Sequence, residues 1–540
     1  MIMPTLSRLL PLKLSLTLLI PLTALFLSIF YNQAFLNAVF KLIDSTQTSE
    51  HFKIAVFTAL VLLFSLGLSI IASKYIFKPF VILLLLSSAI LSYLMDNYGM
   101  IIDANMIKNI IETNLHTELF NNELIKHIVL LGIIPSIILC LIDIQYHSFF
   151  KEIFIRFFNI LLFALLFSTI IFIYYQDFSN INKKNRSLRY LINPSYPLYS
   201  LNKYLKQIPD AKPNTLTQIG RDAQQISNWK ARGKKSIIVL VIGDSARAEN
   251  FSLNGYEKNT NPLLSQQSII NFPNTYSCST MTADALPCLF SDFGQKDYNF
   301  IEAQSYENLL DVLTHARITV LWRGNNTDCQ GVCARVTTEI MNNTAEYCQN
   351  NTCVDEILLK DLQQKFDNLS NDAVIVLQQK GSSAPYYQRY NETFKKFTPD
   401  CQTNQITQCT REQLINSYDN SILYTEYFLN EVIILLQKNA EQYNTAMIYI
   451  SNYGQSLGEN NVYLYNLPYK IAPKEQTHVP FMLWLSPEYV SSFNIDTACL
   501  TQNSNEHYTH DNLFHSILGM LDIQTLEYDA ELDIFNRCRH

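Results

Sequence analysis

A chain of 540 residues with a formal net charge of −7 and 48% hydrophobic residues excludes several classes at once. The acidic balance argues against nucleic acid as a partner. The apolar content is too high for a wholly soluble protein and too low for one embedded throughout in a membrane.

The apolar residues are concentrated near the N-terminus. Residues 12–31, 54–73, 79–95, 127–144 and 156–175 each form an apolar run with almost no charge. Each is about long enough to cross a bilayer, which predicts five spans. The first run is too long for a cleavable signal peptide and has no small-residue cleavage site. Arg8 and Lys13 precede the first span, Lys74 and Lys78 join the second to the third, and Lys151 and Arg156 join the fourth to the fifth. These short basic loops read as cytoplasmic, so five spans starting inside place everything after residue 176 outside. Lys183, Lys184, Arg186 and Arg189 run against that bias on the outer side, but long domains translocate largely regardless of such charge. The loop at 96–126 contains MIKNIIETNLHTELF, with Ile107, Ile110 and Ile111 on one helical face and Asn109, Thr113 and Glu118 on the other. It reads as a helix lying on the outer membrane surface.

Residues 177–235 read as a linker, carrying INPSYPLYS and DAKPN with few periodic runs. From 236 the pattern changes. SIIVLVIG (236–243), ITVLW (318–322), AVIVLQQ (373–379), AMIYIS (446–451) and FMLWLS (481–486) are short apolar runs that predict buried strands. Amphipathic helices are expected between them at about 305–315, 411–437 and 511–521. The fold class is therefore an α-helical membrane domain (1–176), a linker (177–235) and an α/β domain with a mostly parallel sheet (236–540). Functional groups in such sheets sit beyond the carboxyl ends of the strands.

Of eleven cysteines only Cys140 falls in a predicted span. The others pair by proximity as Cys278 with Cys288, Cys329 with Cys333, Cys348 with Cys353 and Cys401 with Cys409, leaving Cys499 for Cys538. Such pairs predict disulfides in an oxidising compartment. The first pair brackets CSTMTADALPC, with Thr282 at its centre and a turn into a helix after it. On its own the stretch reads either as a stapled loop without chemistry or as a threonine nucleophile awaiting a base or a metal. In the second case the helix end would favour a phosphoryl group on the threonine.

IVLVIGDSARAENFSLNGYEKNTNP (238–262) followed by SCSTMTADALPCLFS (277–291) resembles the lipid A phosphoethanolamine transferases that confer polymyxin resistance. So do GSSAPYYQRYNETFKKFTPDC (381–401), YDNSILYTEYF (418–428), SNYGQSLGEN (451–460), HVPFMLWLS (478–486) and MDNYGMIIDANMIKNIIETN (95–114). The resemblance implies an inner-membrane domain and a periplasmic domain of the alkaline phosphatase/sulfatase type. It implies a reaction in which a zinc-activated threonine takes phosphoethanolamine from phosphatidylethanolamine and passes it to lipid A. It places Thr282 at the nucleophile's position, and Asp244, Thr282, Asn452 and Tyr453 at the zinc positions. Asn109 and Thr113 match polar residues that line the family's lipid site. A monomer is expected.

Three of the zinc positions depart from the family pattern. Asp244 stands for glutamate, and Asn452 and Tyr453 stand for the aspartate and histidine of SDHGESLGE. Gln455 replaces the glutamate of that motif, Ser383 and Tyr465 replace histidines near the transferring group, and Gln330 stands where some members have lysine. Zinc prefers imidazole, thiolate or carboxylate, so zinc binding is expected to be weak or lost. His478 and His510, the latter beside Asp511, are the remaining candidates for a relocated metal site, with a structural role as the alternative. Two functions follow: a transferase working through Thr282, or an inactive relative that binds lipid or a partner enzyme. The site chemistry favours the second.

Overall fold

The computed structural model describes residues 13–45, 50–98, 100–104, 106–107, 122–146, 148–184, 186–207, 216–226, 229–299, 303, 305–326, 328–341, 346–349, 352–404, 406–459 and 462–539. The chain divides into two compact units, Met1–Lys206 and Gln207–His540. The division falls inside the stretch 177–235 expected to be a linker, part of which is helical.

The first unit is helical. Its helices are α1 (Leu16–Phe30), α2 (Gln33–Ser45), α3 (Glu50–Ile71), α4 (Phe77–Tyr98), α5 (Asn122–Leu141, with one π segment), α6 (Phe149–Ile173), α7 (Tyr175–Lys184) and α8 (Ser195–Gln207). In hydrocarbon every backbone polar group must be satisfied within the segment, and helices do this. Among the described residues α3, α4, α5 and α6 are long and apolar enough to cross a membrane. The expected first span, 12–31, is observed as a 15-residue helix. It makes a fifth span only if counted with α2, from which it is bent by 68°. Asn32 explains the break. Its Nδ2 donates to Leu27 O at 2.9 Å and to Asn193 O at 2.7 Å, and its Oδ1 accepts from Asn193 N at 3.0 Å. The side chain thus adds a second donor to Leu27 O, which also accepts Tyr31 N–H at 3.2 Å, and anchors a later segment, both inside a buried setting. Asn109, Thr113 and Glu118 lie outside the described residues.

The second unit is built on a seven-stranded sheet. Its strands are β1 (Lys235–Gly243), β2 (Ile269–Asn271), β3 (Thr319–Gly324), β4 (Thr337–Ile340), β5 (Ala373–Gln378), β6 (Tyr443–Ser451) and β7 (Phe481–Leu485), in the order β2-β7-β6-β1-β5-β3-β4. Pairings from β6 through β4 are parallel, and β7 and β2 form an antiparallel edge. β1, β5 and β6 are buried along almost their whole length, which is why they read as continuous apolar runs. The helices of this unit include α9 (Thr282–Leu289), α10 (Leu309–His315), α11 (Leu362–Asp367), α12 (Arg411–Asn439) and α13 (Asp511–Met520). Thr410 and Gln413 form a capping box that starts α12.

Five disulfides join Cys278 to Cys288, Cys329 to Cys333, Cys348 to Cys353, Cys401 to Cys409 and Cys499 to Cys538, and Cys140 is free. Alkylation without reduction, read by mass spectrometry, is therefore expected to modify Cys140 alone. Replacing Cys278 and Cys288 by serine is expected to cost about 2–5 kcal/mol of stability, measured by denaturant unfolding of the second unit.

In α12 the buried Glu426 accepts the Leu263 and Leu264 amides at 3.2 and 3.0 Å. Burial pushes its pKa up from 4.5 to about 7, against the pull of those amides. The folded state thus favours the protonated acid. That contribution is complete below about 4.5 and is lost as pH rises through about 7. Glu426→Gln is expected to raise the Tm by a few degrees at pH 8 relative to wild type, with the difference closing at pH 4. A Tm difference independent of pH would contradict this.

Candidate functional site

Two adjacent parallel strands begin the site. Gly243 of β1 pairs with Ser451 of β6, so the next residues, Asp244 and Asn452, leave the sheet side by side. Asn452 N donates to Gly243 O at 3.0 Å and holds them there. The loop after β5 closes from a third side, with Ser382 N donating to Asp244 O at 2.9 Å. Gly381 in that loop has φ 57°, and a Cβ there would lie 2.6 Å from Asp244 O, so the position requires glycine. Thr282 is the first residue of α9, at the end of the loop closed by Cys278 and Cys288. That loop is tied down by Thr280, whose Oγ1 donates to Leu467 O at 2.7 Å.

Asp244 is the centre of the arrangement. It is 4% exposed. Its Oδ1 accepts from Ser245 Oγ at 2.8 Å and from Tyr453 OH at 3.1 Å. Its Oδ2 accepts from Asn326 Nδ2 at 2.8 Å, Thr282 Oγ1 at 3.2 Å and Asn452 Nδ2 at 3.3 Å. None of these donors carries charge. Burial raises the Asp244 pKa, and the hydrogen bonds from Ser245, Tyr453, Asn452 and Thr282 only partly offset it. The Tyr453 phenol is pushed well above its ordinary value by burial and then by the Asp244 carboxylate. It stays protonated. Its ring lies 5.0 Å from that of Tyr465.

The structure thus brings together Asp244, Thr282, Asn452 and Tyr453, with Tyr465 against the last. Ser383 sits in the loop after β5, its Oγ donating to Lys380 O at 2.8 Å. Gln330 lies within the small Cys329–Cys333 loop, its N–H donating to Asp328 Oδ1 at 3.1 Å. Among the described residues neither hydrogen-bonds to the Asp244 group. Gln455 is completely buried, and its amide atoms have no hydrogen-bond partner among the described residues. Ser245 and Asn326 are site residues that sequence reasoning missed. Each follows the end of a parallel strand, β1 or β3, and that position is the signal that finds them.

The two histidines are already engaged. His510 Nδ1 accepts Cys278 N–H at 3.2 Å, and its Nε2 donates to Ser451 O at 3.0 Å. Burial lowers its pKa to about 4, leaving a neutral ring that braces the Thr282 loop against β6. His478 Nδ1 lies 3.0 Å from Glu249 Oε1 and its Nε2 donates to Pro273 O at 2.6 Å. Burial alone would lower the His478 pKa, but Glu249 and the Pro273 carbonyl outweigh it and leave it raised. Both rings act as braces.

Residues 236–523 match the family described as Sulfatase, and residues 60–208 match that described as Phosphoethanolamine transferase EptA/EptB. The phosphoethanolamine transferase EptA of Escherichia coli (strain K12) is 37% identical over 529 residues, covering 96% of this chain and 96% of its own. The phosphatidylethanolamine transferase Mcr-1 of Escherichia coli is 33% identical over 468 residues, covering 83% and 84%. The solved structure of the integral membrane lipooligosaccharide phosphoethanolamine transferase A from Neisseria meningitidis superposes with a TM-score of 0.90 at 34% identity. It covers 98% of this chain and 100% of that one.

Asp244, Thr282, Asn452 and Tyr453, the positions that the resemblance assigns to zinc, offer few of that ion's usual donors. One carboxylate is present, where zinc sites draw on several anionic or imidazole donors. Asn452 and Asn326 turn their NH2 groups inward to Asp244, and the Asn452 oxygen is spent on Ser245 N–H at 3.3 Å. Tyr453 remains a phenol. The centre is lined by donors that converge on the Asp244 carboxyl. The purified chain is expected to carry well under one zinc per molecule by atomic emission. The combined Asp244→Glu, Asn452→Asp, Tyr453→His variant is expected to bind zinc, and each single change to do little. Stoichiometric zinc in the wild type would contradict this reading.

Proposed function

This chain belongs to the phosphoethanolamine transferase family, and from that premise we propose that it is a catalytically inactive member of the inner membrane. In this reading the second unit faces the periplasm, and the protein binds phosphatidylethanolamine and lipid A without moving phosphoethanolamine between them. The observation that carries the reading is the buried Asp244 carboxylate, satisfied by five neutral donors where the family's zinc chemistry needs a cation. A threonine hydroxyl is a weak nucleophile without metal or base. Leaving-group protonation needs a titratable acid near the reacting group, and Ser383 and Tyr465 stand at the two histidine positions.

A second reading keeps transfer. It is favoured by Thr282 Oγ1 standing 3.2 Å from Asp244 Oδ2 at the start of α9. There Asp244 would take the hydroxyl proton as Thr282 Oγ1 bonds phosphorus and the phosphorus–oxygen bond to the diacylglycerol breaks. The departing glycerol oxygen would take that proton from Asp244, and the helix N-terminus would face the phosphoryl oxygens.

Expression in a polymyxin-sensitive host separates the two. The wild type is expected to leave lipid A unmodified by mass spectrometry and to leave Thr282 without an adduct. Adding Ser383→His and Tyr465→His to the triple variant is expected to restore modification, which Thr282→Ala then abolishes. Lipid A modified by the wild type, and lost in Thr282→Ala, would overturn the inactive reading in favour of transfer.

A further inference from the structure

The membrane unit contains a cavity that neither reading uses. Its volume is about 470 Å³, and its lining includes Phe35 and Val39 of α2, Phe52 and Val56 of α3, Phe178 of α7, and Arg189. That size falls in the ~300–1,000 Å³ range of small-molecule and cofactor sites. The wall is apolar: Val39, Phe52 and Val56 are buried, and Phe35, Phe178 and Leu188 pack against them. Arg189 is the one cation among the lining residues. Its side chain is exposed, its Nη2 donates to Tyr190 OH at 2.8 Å, and its guanidinium lies 4.9 Å from the Tyr190 ring centre. Among the described residues no carboxylate pairs with it.

A second observation comes from the sequence. Segment 175–192 carries Lys183, Lys184, Arg186 and Arg189 against a single carboxylate, Asp177. It directly follows α6 in the chain, on the side that the charge bias of the short loops reads as outer. Cations flanking a span on that side run against the usual charge bias. The same end of the bundle holds α2, bent 68° away from α1, and the first two turns of α3. An apolar cavity there, with a guanidinium at its wall and further cations in the adjoining segment, matches the head-and-tail pattern of a phospholipid.

We propose that this cavity binds an anionic glycerophospholipid of the outer leaflet of the membrane. One acyl chain lies among Phe35, Val39, Phe52 and Val56, and the phosphate pairs with Arg189. An anionic head group is favoured over a zwitterionic one because the ammonium of phosphatidylethanolamine opposes the same cations. The assignment rests on the membrane reading of the first unit and is independent of chemistry at Thr282.

The test uses the full-length protein purified from vesicles holding equal amounts of phosphatidylglycerol and phosphatidylethanolamine of matched chain length, with retained lipid counted by native mass spectrometry. The wild type is expected to retain phosphatidylglycerol over phosphatidylethanolamine by about fivefold, the usual effect of one cation at a membrane surface. Arg189→Glu is expected to abolish the preference and Arg189→Lys to keep it. Val56→Trp, which fills the cavity, is expected to remove the retained phosphatidylglycerol. Arg189 is exposed, so its variants report even if Val56→Trp fails to fold. Equal retention of the two lipids, a preference for phosphatidylethanolamine, or an unchanged preference in Arg189→Glu overturns the proposal. None of these outcomes bears on whether Thr282 transfers phosphoethanolamine.

Discussion

The buried carboxyl group of Asp244 organises the candidate site of the second unit. Moving Asp244 out of water costs several kcal/mol unless its charge is met by partners. Ser245, Tyr453, Thr282, Asn326 and Asn452 meet it with five hydrogen bonds and no counter-charge. Each of those donors depends on a separate part of the fold. Asn452 and Tyr453 need the β1–β6 register, Thr282 needs the stapled loop before α9, and Asn326 needs the end of β3. His510 links two of these parts by bonding both to Cys278 and to Ser451. The site is thus a meeting point of strand ends whose donors all face one anion.

The central strands were legible because burial on both faces leaves an unbroken apolar run. SIIVLVIG, AVIVLQQ and AMIYIS admit little else. The edge strands β2 and β4 were not legible, since IIN and TTEI are short and carry polar residues, as edges do. The bend after α1 was hidden for a related reason. An asparagine at the end of an apolar run looks like the end of a span, and only the later residue Asn193 shows what Asn32 holds. At the site, the motif positions drew attention to Asp244, Thr282, Asn452 and Tyr453, and each cysteine lay near its partner in the chain or was left by elimination. Which way each amide points is not written in the sequence. Asn452 turns its NH2 inward because Ser245 N–H claims its oxygen, and that depends on the left-handed turn at Ser245, φ 60°. Ser245 and Asn326 escaped notice because their one signal, a place just after a parallel strand, is shared by many short polar residues.

The same geometry bears on whether a phosphodiester can react here. In a metal-activated site the cation separates the phosphate from the protein's carboxylates and draws both toward itself. At this site the phosphoryl group would arrive at Thr282 Oγ1, 3.2 Å from Asp244 Oδ2, with neutral groups around both. Two anions brought that close in a buried setting repel strongly, and one must take up a proton or stay away. A proton on Asp244 would relieve the repulsion, but a protonated Asp244 cannot accept the Thr282 proton. Each state lacks one of the two things the attack requires, an approachable phosphate or an available base. On the inactive reading proposed above, Asn452 and Tyr453 thus do more than offer a metal poor ligands: they leave Asp244 as a charge that opposes phosphoryl transfer to Thr282.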